Sequence, residues 1–244
     1  MCQPFESPRV SGGPHLARRN FLMLLGAALS VPAWLRAAEK GAPPKPQNVI
    51  SPDAALDRLM KGNNRYVHGT MQRHDFSAER AALAKGQNPF AGILSCADSR
   101  IGPEYAFDTG RGDVFVCRVA GNFADEAIIG SFEYTVSVLG TPLIFVLGHD
   151  ACGAVTATIK QVKDGASFPG HMPSFTDAIT PAVKAVADQS GDVLTNAIKQ
   201  NVVLTVQKLQ STGPILSEAV NQKKLKVVGG VYNLSTGKVE LVTD

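Results

Sequence analysis

Three short apolar segments in the middle of the chain limit the folds that this sequence can adopt. They are rich in Val, Ile and Phe, are bounded by Gly, Asp or Pro, and cover 90–95, 114–119 and 143–147. Apolar runs of this length are typical of parallel strands buried on both faces. Between the last two runs, residues 125–139 place apolar side chains at helical spacing, which predicts a β-α-β unit. The sequence therefore predicts an α/β domain with a mainly parallel central sheet flanked by helices.

Helical patterns extend this prediction to both ends of the domain. Ser51-Pro52-Asp53 is a typical helix start, with an N-cap serine, a proline at the first helical position and an acid in the first turn. It predicts an N-terminal helical arm that begins near residue 51. Further helices are predicted at 77–85, 154–162, 177–188 and 193–209, and two closing strands at 226–232 and 238–242.

The net positive charge of the chain comes from its first 38 residues. The whole sequence has 24 Lys and Arg against 21 Asp and Glu. Four of the arginines precede Glu39 together with only one acid, Glu6, so the remainder of the chain is neutral. A nucleic-acid-binding domain would carry its excess positive charge on the folded surface. We therefore predict no nucleic-acid partner.

Residues 1–38 are interpreted as an export signal. Arg18-Arg19 precedes an apolar run that ends at Val31, and this arrangement resembles a twin-arginine leader. The run is shorter than the roughly 18 residues that span a bilayer, so a cleaved leader is favoured over a retained anchor. We predict a Pro-rich linker at 39–50, a catalytic domain at 51–244, and a periplasmic or exported protein with no stable membrane span after signal removal.

The cysteine count favours metal binding over disulfides. Cys2 would leave with the leader, and the odd number that remains, Cys96, Cys117 and Cys152, argues against a disulfide framework. Cys117 lies inside an apolar run and is interpreted as a small buried apolar residue. Three histidines near Gly or Pro are interpreted as surface or turn residues: His68, His74 and His171.

The two other cysteines and one histidine follow predicted strands. Cys96 comes directly after the first apolar run, and His149 comes just after the third. Functional sites of open parallel sheets form at the carboxyl ends of strands. Cys152 stands at the start of the next helix, where the helix N-terminus favours a thiolate. Two thiolates and one imidazole can hold zinc and leave a fourth position for water.

Two motifs contain these residues, and together they resemble the signatures of the β-class carbonic anhydrases. Cys96-Ala97-Asp98-Ser99-Arg100 matches Cys-x-Asp-x-Arg, and His149-Asp150-Ala151-Cys152-Gly153 matches His-x-x-Cys-Gly. The resemblance continues in order through 62–66, 86–89, 120–122, 133–134 and 231–237. It implies one Zn²⁺ per subunit on Cys96, His149 and Cys152, and a homodimer or dimer-based oligomer with active sites near the subunit interface.

The resemblance also implies a reaction, the reversible hydration of CO₂ to bicarbonate and a proton. Zinc would lower the pKa of bound water, and the resulting hydroxide would attack the carbon of CO₂. Asp98 and Arg100 would form a catalytic dyad, with Arg100 holding the carboxylate off the metal. An ordinary surface ion pair is the alternative, and Asp98 could also coordinate zinc in a closed form.

The remaining site predictions leave alternatives open. Gln87 has the spacing of the family's substrate-binding glutamine, but a loop glutamine explains it equally well. Gly121 and Asn122 are also predicted to bind substrate, although a tight turn would explain them. Asp150 could tune the metal site or cap the following helix.

Three other functions compete with CO₂ hydration. A hydrolase acting on carbonyl sulfide or carbon disulfide could use the same scaffold and the same ligands. A non-catalytic zinc protein is disfavoured by the Asp98–Arg100 pair beside an open coordination position. A redox thiol protein is disfavoured because the sequence has no Cys-x-x-Cys.

Overall fold

Residues 50–243 are described by the computed structural model of the protein, and all of them fall within one compact unit. The predicted export signal and nearly all of the predicted linker lie outside this range. The strands are β1 (Ala91–Ser95), β2 (Val114–Arg118), β3 (Leu143–His149), β4 (Lys226–Tyr232) and β5 (Val239–Leu241). The helices are α1 (Pro52–Val67), α2 (Arg80–Leu83), α3 (Pro103–Ala106), α4 (Glu126–Ser137), α5 (Gly153–Asp164), α6 (Pro173–Ala185), α7 (Val193–Ser211) and α8 (Ile215–Asn221).

The five strands form one sheet in the order β2-β1-β3-β4-β5. The first four strands run parallel, and β5 pairs antiparallel with β4. The mainly parallel sheet flanked by helices is confirmed. The predicted β-α-β unit is different in one respect, because β2 and β3 are not neighbours. The chain passes from β1 outward to the edge strand β2, and returns through α4 to β3 on the other side of β1.

The central strands are buried on both faces, which explains their continuous apolar sequence. On one face, Phe145 of β3 packs edge-to-face on Phe107, with ring centroids 5.3 Å apart, and joins a core that includes Leu59 of α1. On the other face, the neighbouring residues Ile144 and Val146 pack in a core with α4, α7 and α8. Successive side chains of a strand point to opposite faces. Helices therefore cover both surfaces of β3.

The N-terminal helix starts where the sequence predicts it. Ser51 caps α1, with its Oγ accepting a hydrogen bond from the backbone N of Ala54 at 3.2 Å. The buried Asn63 then joins α1 to two other parts of the fold. Its Nδ2 donates to the carbonyls of Ala106 and Gly237, both at 2.8 Å, and its Oδ1 accepts from the N–H of Val239. The arm is thus bonded to the rest of the domain.

Helix bounds depart from the predictions where helices are short. The segment predicted at 77–85 contains only the four-residue α2, because Asp75 Oδ1 accepts from the backbone N–H groups of Ser77 and Ala78 and holds a turn there. Helix α6 begins at Pro173, four residues before its predicted start. Helices α3 and α8 were missed because segments of four and seven residues are too short to show helical periodicity. Among the described residues, no helix has the length and apolarity required to cross a membrane.

Candidate active site

The carboxyl ends of two neighbouring strands bring the predicted metal ligands together. Strands β1 and β3 are paired with Ser95 opposite Leu147, so Cys96 and His149 follow at adjacent strand ends. Cys152 is the N-cap residue of α5. The three potential ligand atoms lie within 4.8 Å of one another, and this is the one cluster of three or more such side chains within residues 50–243. The exposed fractions of Cys96, His149 and Cys152 are 4%, 0% and 1%.

The hydrogen bonds of His149 fit a metal ligand. Its Nδ1 lies 2.8 Å from the carbonyl oxygen of Asp150, which can only accept, so Nδ1 carries the hydrogen. Its Nε2 is buried and has no hydrogen-bond partner in the part of the chain that the structure describes. A buried polar atom without a partner is costly. Zinc would satisfy this nitrogen together with the two sulfurs, and two thiolates with one imidazole are a ligand set that zinc accepts.

The pKa values of the Cys96 and Cys152 thiols are shifted in opposite directions. The hydrogen bond from Cys152 lowers the pKa of the Cys96 thiol to about 4, with help from His149 and the Gly121 N–H. The same Cys96–Cys152 contact and burial raise the pKa of Cys152. Burial alone would lower the pKa of His149, but its contacts with Cys96 raise it overall. The pocket therefore favours one thiolate, and a cation is required to stabilise the second.

Asp98 lies beside this cluster and is held there by Arg100. Asp98 Oδ1 accepts from Arg100 Nε at 2.9 Å and Oδ2 accepts from Nη2 at 2.7 Å, which is a bidentate pair. Asp98 Oδ2 also lies 3.8 Å from His149 Nε2. The hydrogen bond from the Arg100 side chain lowers the pKa of Asp98 far below its usual range. The Asp98 carboxylate is thus ionised. It lies next to the predicted ligands, and both of its oxygens accept hydrogen bonds from the Arg100 guanidinium.

Arg118 supports the backbone of Cys96 and Asp98, although the sequence patterns did not identify it. Its Nε donates to the carbonyl of Cys96 at 3.0 Å, and its Nη2 donates to the carbonyl of Asp98 at 2.7 Å. Arg118 ends strand β2, whose carboxyl end lies at the same edge of the sheet as the ligands. A charged residue inside the apolar run at 114–119 was the available sequence signal.

Gly121 contacts Cys96, one of the predicted metal ligands, directly. Its backbone N donates to Cys96 Sγ at 3.3 Å. Its φ is +81°, and a Cβ added there would lie only 2.3 Å from Ile179 Cδ1, so this position is restricted to glycine. Asn201 of α7, which the sequence patterns also did not identify, holds the same peptide segment through a 2.8 Å hydrogen bond from Nδ2 to the Gly121 carbonyl. A buried asparagine on a mainly apolar helix face was the only sequence signal.

The other two residues predicted to bind substrate, Asn122 and Gln87, lie in different parts of the fold. Asn122 is 2% exposed, and its Nδ2 has no hydrogen-bond partner within the described residues. It follows Gly121 directly and so lies near the cluster. Gln87 is exposed and precedes β1, whereas Cys96 follows β1. The five residues of that strand put about 16 Å between its two ends. Gln87 and the predicted metal ligand Cys96 therefore lie at opposite ends of β1.

The other Cys and His residues within 50–243 take no part in this cluster. Cys117 is half-buried in β2, and burial raises the pKa of its thiol. His68 is the exposed C-cap residue of α1, and His171 is exposed. His74, predicted to be a surface or turn residue, is half-buried and stacks on Phe76 with ring centroids 5.9 Å apart.

Comparison with known proteins gives one consistent family. The family described as "Carbonic anhydrase" matches residues 91–239. "Carbonic anhydrase 2" of Mycobacterium tuberculosis is 40% identical over 192 residues, which are 78% of this chain and 93% of the relative. The β-carbonic anhydrase of Coccomyxa, solved with acetazolamide, shares 27% identity with a TM-score of 0.61 over 76% of this chain and 85% of its own. A tetrameric β-carbonic anhydrase of Sordaria macrospora has the same fold, with 23% identity and a TM-score of 0.61 over 77% and 96% of the two chains.

Proposed function

The chain belongs to the carbonic anhydrase family, in its β class, and on this premise we propose that it hydrates CO₂ reversibly at one zinc ion held by Cys96, His149 and Cys152. The observation that carries the proposal is the buried cluster of three ligand atoms within 4.8 Å. Two further observations support it: His149 Nε2 has no hydrogen-bond partner among the described residues, and the Asp98 carboxylate is adjacent. The products are bicarbonate and a proton.

A zinc ion held by Cys96, His149 and Cys152 would supply Lewis-acid chemistry, lowering the pKa of water so that hydroxide would be available to attack CO₂. The residues of the chain have separate tasks around it. Asp98 is ionised and accepts hydrogen bonds, so it can orient a water molecule beside the ligands. Arg100 keeps both carboxylate oxygens occupied and thereby holds Asp98 off the metal. Asn122 Nδ2 is buried and has no hydrogen-bond partner within residues 50–243, so it can bind an oxygen of the substrate.

Metal analysis together with stopped-flow kinetics tests the proposed function. The chain from residue 39 onward is expressed, its zinc content is measured, and its turnover of CO₂ is compared with that of carbonyl sulfide and carbon disulfide. We expect about one zinc per chain and hydration of CO₂ that stops on chelation. A metal-free protein, or one that turns over only the sulfur compounds, would refute the proposal.

The hydration rate is expected to rise toward alkaline pH. Two anionic thiolate ligands would offset more of the zinc charge than neutral imidazoles do, so the zinc would lower the pKa of water less than a site of three neutral imidazoles would. Asp98 stays ionised over the assay range because Arg100 lowers its pKa, so its titration does not produce the rise. Stopped-flow turnover from about pH 6 to about pH 9 measures the effect. A flat profile would contradict this prediction.

An assembly of at least two copies is part of the proposal. The family resemblance implies a homodimer or dimer-based oligomer, and the related Sordaria macrospora enzyme is described as tetrameric. Gln87 gives a further reason, because strand β1 separates it from Cys96 of its own chain. Only the metal site of another copy would allow Gln87 to bind substrate. A molar mass of one chain in light scattering would count against the assembly.

Export through the twin-arginine route is also proposed, because Arg18-Arg19 precedes an apolar run. This route carries folded proteins, so zinc could occupy both thiolates before the protein meets an oxidising compartment. We expect replacement of Arg18 and Arg19 by lysine to retain the protein in the cytoplasm. Arg9→Lys is the matched control and should leave export unchanged. Cell fractionation measures both, and equal export of all variants would contradict the proposed route.

A further inference from the structure

Asp150 stands between two of the metal ligands in the sequence, but its carboxylate is bonded to a distant turn. Its Oδ1 accepts from the backbone N of Leu234 at 2.9 Å, and its Oδ2 accepts from Asn233 Nδ2 at 2.9 Å. Both donors therefore lie on the turn between β4 and β5. The helix-cap alternative is excluded, because Cys152 occupies the N-cap position of α5 and that helix has no side-chain cap.

The backbone of Asp150 connects this turn to the imidazole of His149. Its N–H donates to the carbonyl of Tyr232 at 3.0 Å. Its carbonyl oxygen lies 2.8 Å from His149 Nδ1 and accepts the ring hydrogen. The next residue, Ala151, has a φ of +50°, so the chain turns sharply before it reaches Cys152. Bonds to the turn thus fix Asp150 on one side while its carbonyl holds the ligand on the other.

The turn is a firm attachment point because its own polar groups are satisfied. Asn233 Oδ1 accepts from the backbone N–H groups of Ser235 and Thr236, at 3.1 and 2.9 Å, and from both of their hydroxyls. With its oxygen occupied in this way, the Asn233 amide presents only its NH₂ group to Asp150. The turn is bonded in addition to α1, where Asn63 donates to the Gly237 carbonyl.

From these contacts we infer that Asp150 is a positioning residue for the zinc site, which fixes the tautomer and orientation of His149. The inference rests on the zinc site proposed above. A hydrogen-bond acceptor on the non-ligating nitrogen keeps the hydrogen on Nδ1 and leaves Nε2 free for the metal. Groups that orient a metal-bound histidine typically change metal affinity by about 10-fold to 100-fold. Asp150 acts on the ligand through its own peptide carbonyl.

Zinc affinity of the purified holoprotein tests this role independently of turnover. We expect Asp150→Ala to lower zinc affinity by about 10-fold to 100-fold in competition with a chelator, and to speed zinc release. Asp150→Asn retains one oxygen for Leu234 but places an NH₂ group against the Asn233 NH₂ group. Asp150→Asn should lose less zinc affinity than Asp150→Ala. It also provides a second variant that keeps the size of the side chain.

Asp113 offers a matched control at the opposite end of the sheet. Its carboxylate also binds one backbone N–H, of Gly110 at 2.8 Å, and one side chain, of Arg58 at 3.0 Å. Asp113→Ala should lower thermal stability but leave zinc affinity unchanged. Substitution of Co²⁺ for zinc gives a second readout, because its absorption bands report ligand geometry and should shift in Asp150→Ala but not in Asp113→Ala.

The outcomes separate this inference from the proposed function. Unchanged zinc affinity and an unchanged Co²⁺ spectrum in both Asp150 variants would overturn the positioning role while the zinc site stands. Equal losses in Asp150→Ala and Asp113→Ala would also overturn it, because they would reflect general destabilisation. A parent protein that binds no zinc would overturn the proposed function and the positioning role with it.

Discussion

Cys96→Ser is expected to remove zinc from the protein and to lower CO₂ hydration by at least about a hundredfold, since groups that only orient metal ligands already contribute about 10-fold to 100-fold. Serine is a poor zinc ligand, and the substitution also removes the sulfur that accepts the Gly121 N–H bond. The remaining ligands, His149 and Cys152, would then share the pocket without the thiolate that the site favours. Zinc content by mass spectrometry and stopped-flow hydration measure the two effects.

Cys117→Ser is the matched control for that experiment. Cys117 is half-buried in the edge strand β2, outside the cluster of ligand atoms. The same exchange of sulfur for oxygen there should leave zinc content and turnover unchanged. If Cys96→Ser retained a full complement of zinc, Cys96 would not be a ligand and the proposed site would be wrong.

Asp98→Ala is expected to keep its zinc but to lose about 10²-fold to 10⁴-fold in hydration rate, the range for a group that directs proton transfer. Asp98 is bonded to Arg100 in the structure, and the cluster of three ligands is complete without it. Metal retention should therefore be independent of this carboxylate. Measuring both the zinc content and the kcat of this variant distinguishes a role in the reaction from a role in binding the metal.

A surface carboxylate provides the comparison for Asp98. Asp57 pairs with Lys61 on α1 at 2.7 Å, with both side chains well exposed. Exposed pairs of this kind contribute little, so Asp57→Ala should match the parent protein in zinc content and rate. Unchanged hydration in Asp98→Ala would show that the Asp98–Arg100 pair is an ordinary ion pair.

The strands were predictable because their sequence reflects a local requirement. Residues of β3 are buried on both faces, and only a continuous apolar run satisfies both cores. The order of the strands was not predictable in the same way. Strands β2 and β3 follow one another along the chain, but β1 lies between them. That arrangement depends on how the whole sheet assembles, and apolar runs of equal character do not encode which strands become neighbours.

The candidate site shows the same division between local and distant information. Cys96, His149 and Cys152 were identifiable because strand ends and a helix start place them by local rules. The supports of these residues come from far along the chain. Arg118 reaches the carbonyl of Cys96 across 22 residues, and Asn201 reaches Gly121 across 80. Such polar contacts are set by tertiary packing, and the residue types alone do not reveal them.

Asn63 sets a limit on how far the protein can be shortened from its N-terminus. Its side chain satisfies the carbonyls of Ala106 and Gly237 and the N–H of Val239, which lie in three separate places in the domain. Each buried backbone group left without a partner costs about 1 to 3 kcal/mol. Proteolysis or truncation before Ser51 spares all three bonds, whereas a cut within α1 that releases Asn63 breaks them together. The smallest unit of this protein able to fold therefore includes its first helix.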